Sequence, residues 1–288
     1  VPSLRPCSNL TKTPKITSKV HWPFYVLILV VVVYAVIVLI YYLLQEKLLF
    51  VGRPLKRKFK FQLATPFEEV FLESAEGGTL HALHLKLEEP KGLILYFHGN
   101  TGNMNRWSPV AEELTTYNFD VLVVDYRGFG KSSGRRSEET LHQDAQQIYD
   151  YALTLVPKEK LVVYGRSLGS GLAVKVAAEN SPDRLVLETP YYHLLGVVFH
   201  HFPFLPVRLI LRYHFRSDKW MPKVTCPVII FHGTKDRIVP YKSGLKLYNR
   251  IDKEVDGSMV TLAKGKHGNL NQFPLFREKM HDFLADVG

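Results

Sequence analysis

From Phe67 onward the chain alternates short apolar runs with amphipathic stretches, and that alternation leaves few folds open to it. Residues 93–97, 121–124, 161–164, 185–187 and 228–231 are near-continuously apolar, the pattern of strands buried on both faces of a parallel sheet. Residues 103–117, 138–155, 168–179 and 242–250 read as helices of ordinary length between them. Strand–helix alternation of this kind predicts a mostly parallel, doubly wound α/β sheet. Residues 70–74 and 80–87 flank the turn Glu76-Gly77-Gly78 and predict an antiparallel hairpin that opens the sheet. Residues 191–221 break the alternation with aromatics, His, Pro203 and Pro206. They predict a small cap over the carboxyl edge of the sheet, where α/β proteins bind their ligands.

Ahead of this pattern, residues 22–44 hold no charged side chain. At 1.5 Å per residue such a helix covers roughly 35 Å, enough for a ~30 Å hydrocarbon core. One transmembrane helix is therefore expected over 22–44, after a basic tail (1–21) and before a basic juxtamembrane linker (45–66) and a single domain (67–288) of a size that builds one large core. The net charge of +10 invites a nucleic-acid reading. Much of it flanks the run: Arg5, Lys12, Lys15 and Lys19 before, Lys47, Arg53, Lys56, Arg57, Lys58 and Lys60 after. Such charges read as contacts to lipid headgroups, and no nucleic-acid motif is present, so nucleic acid is not an expected partner. Six bases after the run against four before it lean towards a cytoplasmic domain. Cys7 and Cys226 form neither a metal spacing nor a disulfide framework, and Cys226, ahead of an apolar strand, reads as a small buried residue.

The chemistry centres on Gly165-Arg166-Ser167-Leu168-Gly169, a G-x-S-x-G sequence between an apolar strand and a helix. In that context a sharp turn pushes the serine hydroxyl out of the sheet. Serine needs a base to take its proton, and the partners follow in the order acid, then His. Asp236 comes after the strand at 228–231, and His267 after the apolar stretch at 259–262. The expected roles are Ser167 as nucleophile, His267 as general base and then acid, and Asp236 as the group that orients the imidazole. His193, His232 and His281 are the rivals for the base.

A tetrahedral intermediate also needs donors for its oxyanion. The backbone N–H of Leu168 supplies one, and Phe97-His98-Gly99-Asn100 points to the Asn100 N–H as the second. His98 reads as a structural hydrogen-bonding residue. The segment from Asp125 to Ser132 ends in Gly-Lys-Ser, but the first glycine of a phosphate loop would fall on Asp125. It reads instead as a chain turn, with Asp125 and Arg127 in local hydrogen bonds.

Taken in order, H-G-N-x-G, D-Y-R-G-x-G-x-S, G-R-S-L-G, E-T-P-Y, H-G-T-x-D and the late His resemble the membrane-anchored α/β-hydrolase-domain proteins over roughly residues 45–285. The resemblance implies the α/β-hydrolase fold with a minimal cap, a serine-hydrolase triad, and action on carboxylic esters, thioesters or lipids. A peptidase or amidase, or a catalytically silent membrane-bound scaffold, are the alternatives. No metal or organic cofactor is implied. The cap residues Leu194, Leu195, Val197, Val198, Phe199, Phe202, Phe204 and Leu205 either hold an acyl chain or pack on the sheet. Arg208, Arg212 and Arg216, four apart, form either a basic face for headgroups or a solvated one. The acyl preference and the oligomeric state leave no trace in the sequence.

Overall fold

In the computed structural model, which describes residues 22–287, the chain divides between Leu43 and Leu44 into two compact units. The basic tail 1–21, with Cys7, lies outside the described residues. Helix α1 (Trp22–Leu49) carries the charge-free run; among the described residues it is the one helix long and apolar enough to cross a membrane. The helix continues past Leu44 because Gln45, Glu46 and Lys47 are good helix formers. The segment expected as a linker is built into the domain. Phe50 and Phe61 are buried, and β1 (Val51–Gly52) pairs in parallel with the equally short β5 (Thr101–Gly102).

The remaining strands are β2 (Phe67–Glu73), β3 (Thr79–Leu85), β4 (Leu93–Phe97), β6 (Asp120–Asp125), β7 (Leu161–Arg166), β8 (Arg184–Glu188), β9 (Val228–Gly233) and β10 (Gly257–Leu262). They form one sheet in the order β10-β9-β8-β7-β4-β6-β3-β2. β3 runs antiparallel to both β2 and β6, and every other pairing is parallel. The expected hairpin and doubly wound sheet are both present. Every residue of β4, β7 and β9 is buried, which is why their sequences carry no alternation. Backbone pairing outlasts the apolar runs: Arg166 pairs with Glu188 at the ends of β7 and β8, which places two charges inside the sheet edge.

Helices α2 (Met104–Thr115), α3 (Glu138–Leu153), α4 (Leu168–Asn180), α8 (Tyr241–Tyr248) and α9 (Pro274–Leu284) cover the sheet; α5 (Leu194–His201), α6 (Val207–Ile210) and α7 (Ser217–Trp220) build the cap between β8 and β9. α3 starts on a capping box in which Ser137 Oγ accepts from the Thr140 N–H and Thr140 Oγ1 accepts from the Ser137 N–H. The turn after β6 is a hydrogen-bonded knot, as its sequence suggested. Arg127 is fully buried and donates to both Asp144 carboxylate oxygens, at 2.6 and 2.8 Å, and to the Gly77 carbonyl at 2.7 Å. Asp125 Oδ2 accepts from the Met104 N–H at 3.0 Å. A Cβ on Gly130 would lie 1.8 Å from that same oxygen, so only glycine fits there.

The three cap arginines do not form one helical face. α6 is four residues long, so it holds Arg208 alone, while Arg212 and Arg216 fall in the connection from α6 to α7. Arg212 pairs with Glu46 at 3.3 Å and Arg216 with Asp218 at 2.6 Å. The cap's apolar residues divide: Leu194, Val198 and Leu205 are buried, while Phe199 and Phe204 are exposed.

Candidate active site

β7 ends in Arg166 and α4 begins at Leu168, which leaves Ser167 alone to reverse the chain. It does so at φ 51° and ψ −115°, a left-handed conformation that costs a non-glycine residue of order 1–3 kcal/mol and is held only by its surroundings. Those surroundings are close. The Ser167 N–H donates to the Glu188 carbonyl at 2.9 Å, and its own carbonyl accepts from Ser170 Oγ at 2.6 Å. A Cβ on Gly169 would lie 2.1 Å from the Phe97 carbonyl oxygen, so α4 approaches β4 as nearly as it does only because that position lacks a side chain.

β9 and β10 deliver the partners from the same sheet edge. His267 Nε2 lies 2.9 Å from Ser167 Oγ, and Nδ1 lies 2.8 Å from Asp236 Oδ2. An ionised carboxylate only accepts, so Nδ1–H donates to Asp236 and Nε2 is left to accept from the serine hydroxyl. Asp236 Oδ1 accepts two backbone N–H groups, from Ile238 and Val239, each at 2.9 Å. Burial pushes the Asp236 carboxyl up, but the neighbouring imidazoles of His232 and His267 outweigh it and hold the group well below the ordinary carboxylate range.

The rival histidines are engaged elsewhere. His232 is buried, and its Nε2–H donates to the Val239 carbonyl at 2.9 Å while sitting 3.4 Å from Asp236 Oδ2. His193 caps α5, its Nδ1 accepting from the Gly196 N–H at 2.8 Å. His281 lies on the exposed side of α9. His98 is a structural residue: Nδ1–H donates to the Gly99 carbonyl at 2.7 Å, and the ring stacks on Trp107 with centroids 5.4 Å apart.

Of the two expected oxyanion donors, Leu168 follows Ser167 in the chain, and Asn100 follows Gly99, which lies close to Ser167. Leu168 opens α4, where the first N–H groups have no intrahelical acceptor. The Asn100 loop approaches through Gly99, where an added Cβ would stand 3.8 Å from the Ser167 Cβ. The loop is held from outside by residues just beyond the charge-free run: the Asn100 carbonyl accepts from the Val51 N–H at 2.8 Å, and its side-chain amide donates to the Leu49 carbonyl at 3.0 Å.

Three side chains under the site were not singled out from the sequence. Glu188 Oε2 accepts from the Tyr164 hydroxyl at 2.8 Å, and Oε1 lies 3.5 Å from Arg166 Nε. Burial opposes the charge on Arg166, but Glu188 prevails and raises the guanidinium above its ordinary pKa. Arg166 and Glu188 each close a buried apolar run with a charge, the one signal the sequence offered. A separate cavity of about 330 Å³ lies in the cap against Leu195, Phe199 and Leu205, without Ser167, Asp236 or His267 in its wall.

Residues 88–214 match the family described as serine aminopeptidase, S33. The chain is 28% identical to the lysophosphatidylserine lipase ABHD12 of Xenopus tropicalis, over 76% of this chain and 64% of that protein. It is 31% identical to the Danio rerio protein of the same description, over 67% of this chain and 54% of that one. The chain thus spans less than two thirds of these relatives' length. Among solved structures, the Pyrococcus furiosus esterase Pf2001 superposes with a TM-score of 0.65 at 19% identity, covering 82% of this chain and all (100%) of that one, a likeness of fold.

Proposed function

We propose, from the premise that the chain belongs to the α/β-hydrolase family, that it is a serine hydrolase of carboxylic esters or thioesters. The observation that carries this reading is the unbroken chain of hydrogen bonds from Asp236 through His267 to Ser167, with the serine on a strained turn. Ser167 Oγ attacks the substrate carbonyl as His267 Nε2 takes its proton. The oxyanion meets the backbone N–H groups of Leu168 and Asn100, donors each worth roughly 3 kcal/mol. His267 then protonates the departing alkoxide or thiolate. A water, deprotonated by His267, attacks the acyl-enzyme and releases the acid.

The relatives' description as lysophosphatidylserine lipases supports a single-chain phospholipid ester as the substrate. Helix α1 is read as a membrane anchor, supported by its length and hydropathy, and the six bases that follow the run support a cytoplasmic domain. The serine aminopeptidase match keeps amide hydrolysis as the second reading.

Wild-type protein is expected to label with a fluorophosphonate probe, and Ser167→Ala is not; equal labelling of the two sinks the nucleophile assignment. A panel of lysophospholipids, short esters, thioesters and aminoacyl amides then separates the two readings. Proteolysis of sealed vesicles tests the side.

A further inference from the structure

The cap carries a surface that the triad and the oxyanion loop do not use. Phe199, Phe204 and Leu209 are 54, 59 and 86% exposed. No other large apolar side chain from Leu44 onward, among the described residues, exceeds the 50% of Ile238. Ile238 belongs to the same neighbourhood, since its carbonyl accepts from His201 Nε2–H, at the end of α5, at 2.9 Å. The cap sequence itself carries charge of one sign. Between Glu188 and Asp218 the chain holds no acidic residue, while Arg208, Arg212, Arg216 and four histidines fall there.

The cap is also fixed to the residue that leaves the charge-free run. Gln45 is fully buried; its amide donates to the Ile210 carbonyl at 3.0 Å, and its side-chain oxygen accepts from the Arg212 N–H at 2.8 Å. Leu209 is the residue next to that clamp. A run that spans a bilayer ends at the headgroups, and a cap segment bonded to the first residue after it sits at the same depth. Large apolar side chains beside arginines are what an interfacial surface needs, because the rings and leucines enter the acyl boundary while the cations meet anionic headgroups.

We infer that the outer face of the cap, around Phe199, Phe204 and Leu209 with Arg208, seats in the interfacial layer of an anionic phospholipid bilayer. The inference rests on reading residues 22–44 as a membrane span. Seated in this way, the cap holds the loop of Asp236, and with it the hydrolytic site, against the lipid surface. A lipid ester then reaches Ser167 without crossing water.

Protein spanning residues 1–288 in phosphatidylcholine–phosphatidylglycerol vesicles tests this with spin labels at Leu209→Cys, Leu153→Cys and Val32→Cys, each in a Cys7→Ser background. Leu153 is 39% exposed at the end of α3, which leads to the amino edge of the sheet, opposite the site. Collisions with oxygen, which concentrates in lipid, are compared with collisions with a water-soluble nickel chelate. The ratio at Leu209 is expected to fall between those at Leu153 and Val32 and to exceed that at Leu153 several-fold. A Leu209 label as wet as the Leu153 label, with Val32 in lipid, overturns the inference and leaves the span intact. A wet Val32 label overturns both. A Leu209 label shielded from both collision partners places the surface against protein, and that also overturns it.

Discussion

Asp236→Asn tests the site most sharply, because the structure dictates how the amide must sit. Oδ1 accepts two backbone N–H groups at 2.9 Å, so the amide oxygen is forced into that position. The NH2 group then takes the place of Oδ2, 2.8 Å from His267 Nδ1. A donor there makes Nδ1 the acceptor and moves the ring proton to Nε2, which now donates to Ser167 instead of accepting from it. The base is lost although the packing barely changes. Wrong-tautomer variants of this kind lose about 10⁴ in kcat, equivalent to about 5.5 kcal/mol of transition-state stabilisation. Turnover of a short chromogenic ester and the rate of fluorophosphonate labelling both read this, with thermal unfolding as the check on folding. Residual kcat above about a tenth of wild type, far outside that expected loss, refutes the tautomer argument. Stability supplies a second reading. Asp236 is held below its unfolded value of ~3.9, so its contribution is complete above about pH 4 and is lost as the pH falls from there towards the folded value. The stability gap between wild type and Asp236→Asn should therefore narrow below about pH 4 and stay constant above it.

Asn100→Ala removes the tie to the Leu49 carbonyl but keeps the backbone N–H; with a hydrogen bond worth about 1 kcal/mol, kcat for a short ester should fall about fivefold with KM nearly unchanged. Arg127→Ala leaves Asp144 buried without its partner and should cost about 3–5 kcal/mol in urea unfolding, while the activity of the folded fraction is retained. Burial pushes the Cys226 thiol up to about 12, so iodoacetamide at pH 8 should leave it unmodified until the protein is denatured, as mass spectrometry of the Cys226 peptide will read.

The strands that build the site were legible because they are buried on both faces, so β4, β7 and β9 read as plain apolar runs. Ser167, Asp236 and His267 were legible because each follows such a run, and a parallel sheet brings its carboxyl ends to one edge. Arg166 and Glu188 were not, since a charge that ends an apolar run looks like the start of a loop; backbone pairing carried both strands one residue further. The spacing of Arg208, Arg212 and Arg216 suggested a helical face, but the helix that bears Arg208 lasts four residues. The stretch after the charge-free run was read from its lysines and arginines, which hid Phe50 and Phe61, and the two-residue pairing of β1 with β5 has no period to detect. That stretch matters to the site. Gln45 grips the cap, while Leu49 and Val51 hold the Asn100 loop. A fragment starting at residue 67 keeps Ser167, Asp236 and His267 but loses these holds on the proposed oxyanion loop, so the proposed hydrolytic unit begins where the charge-free run ends.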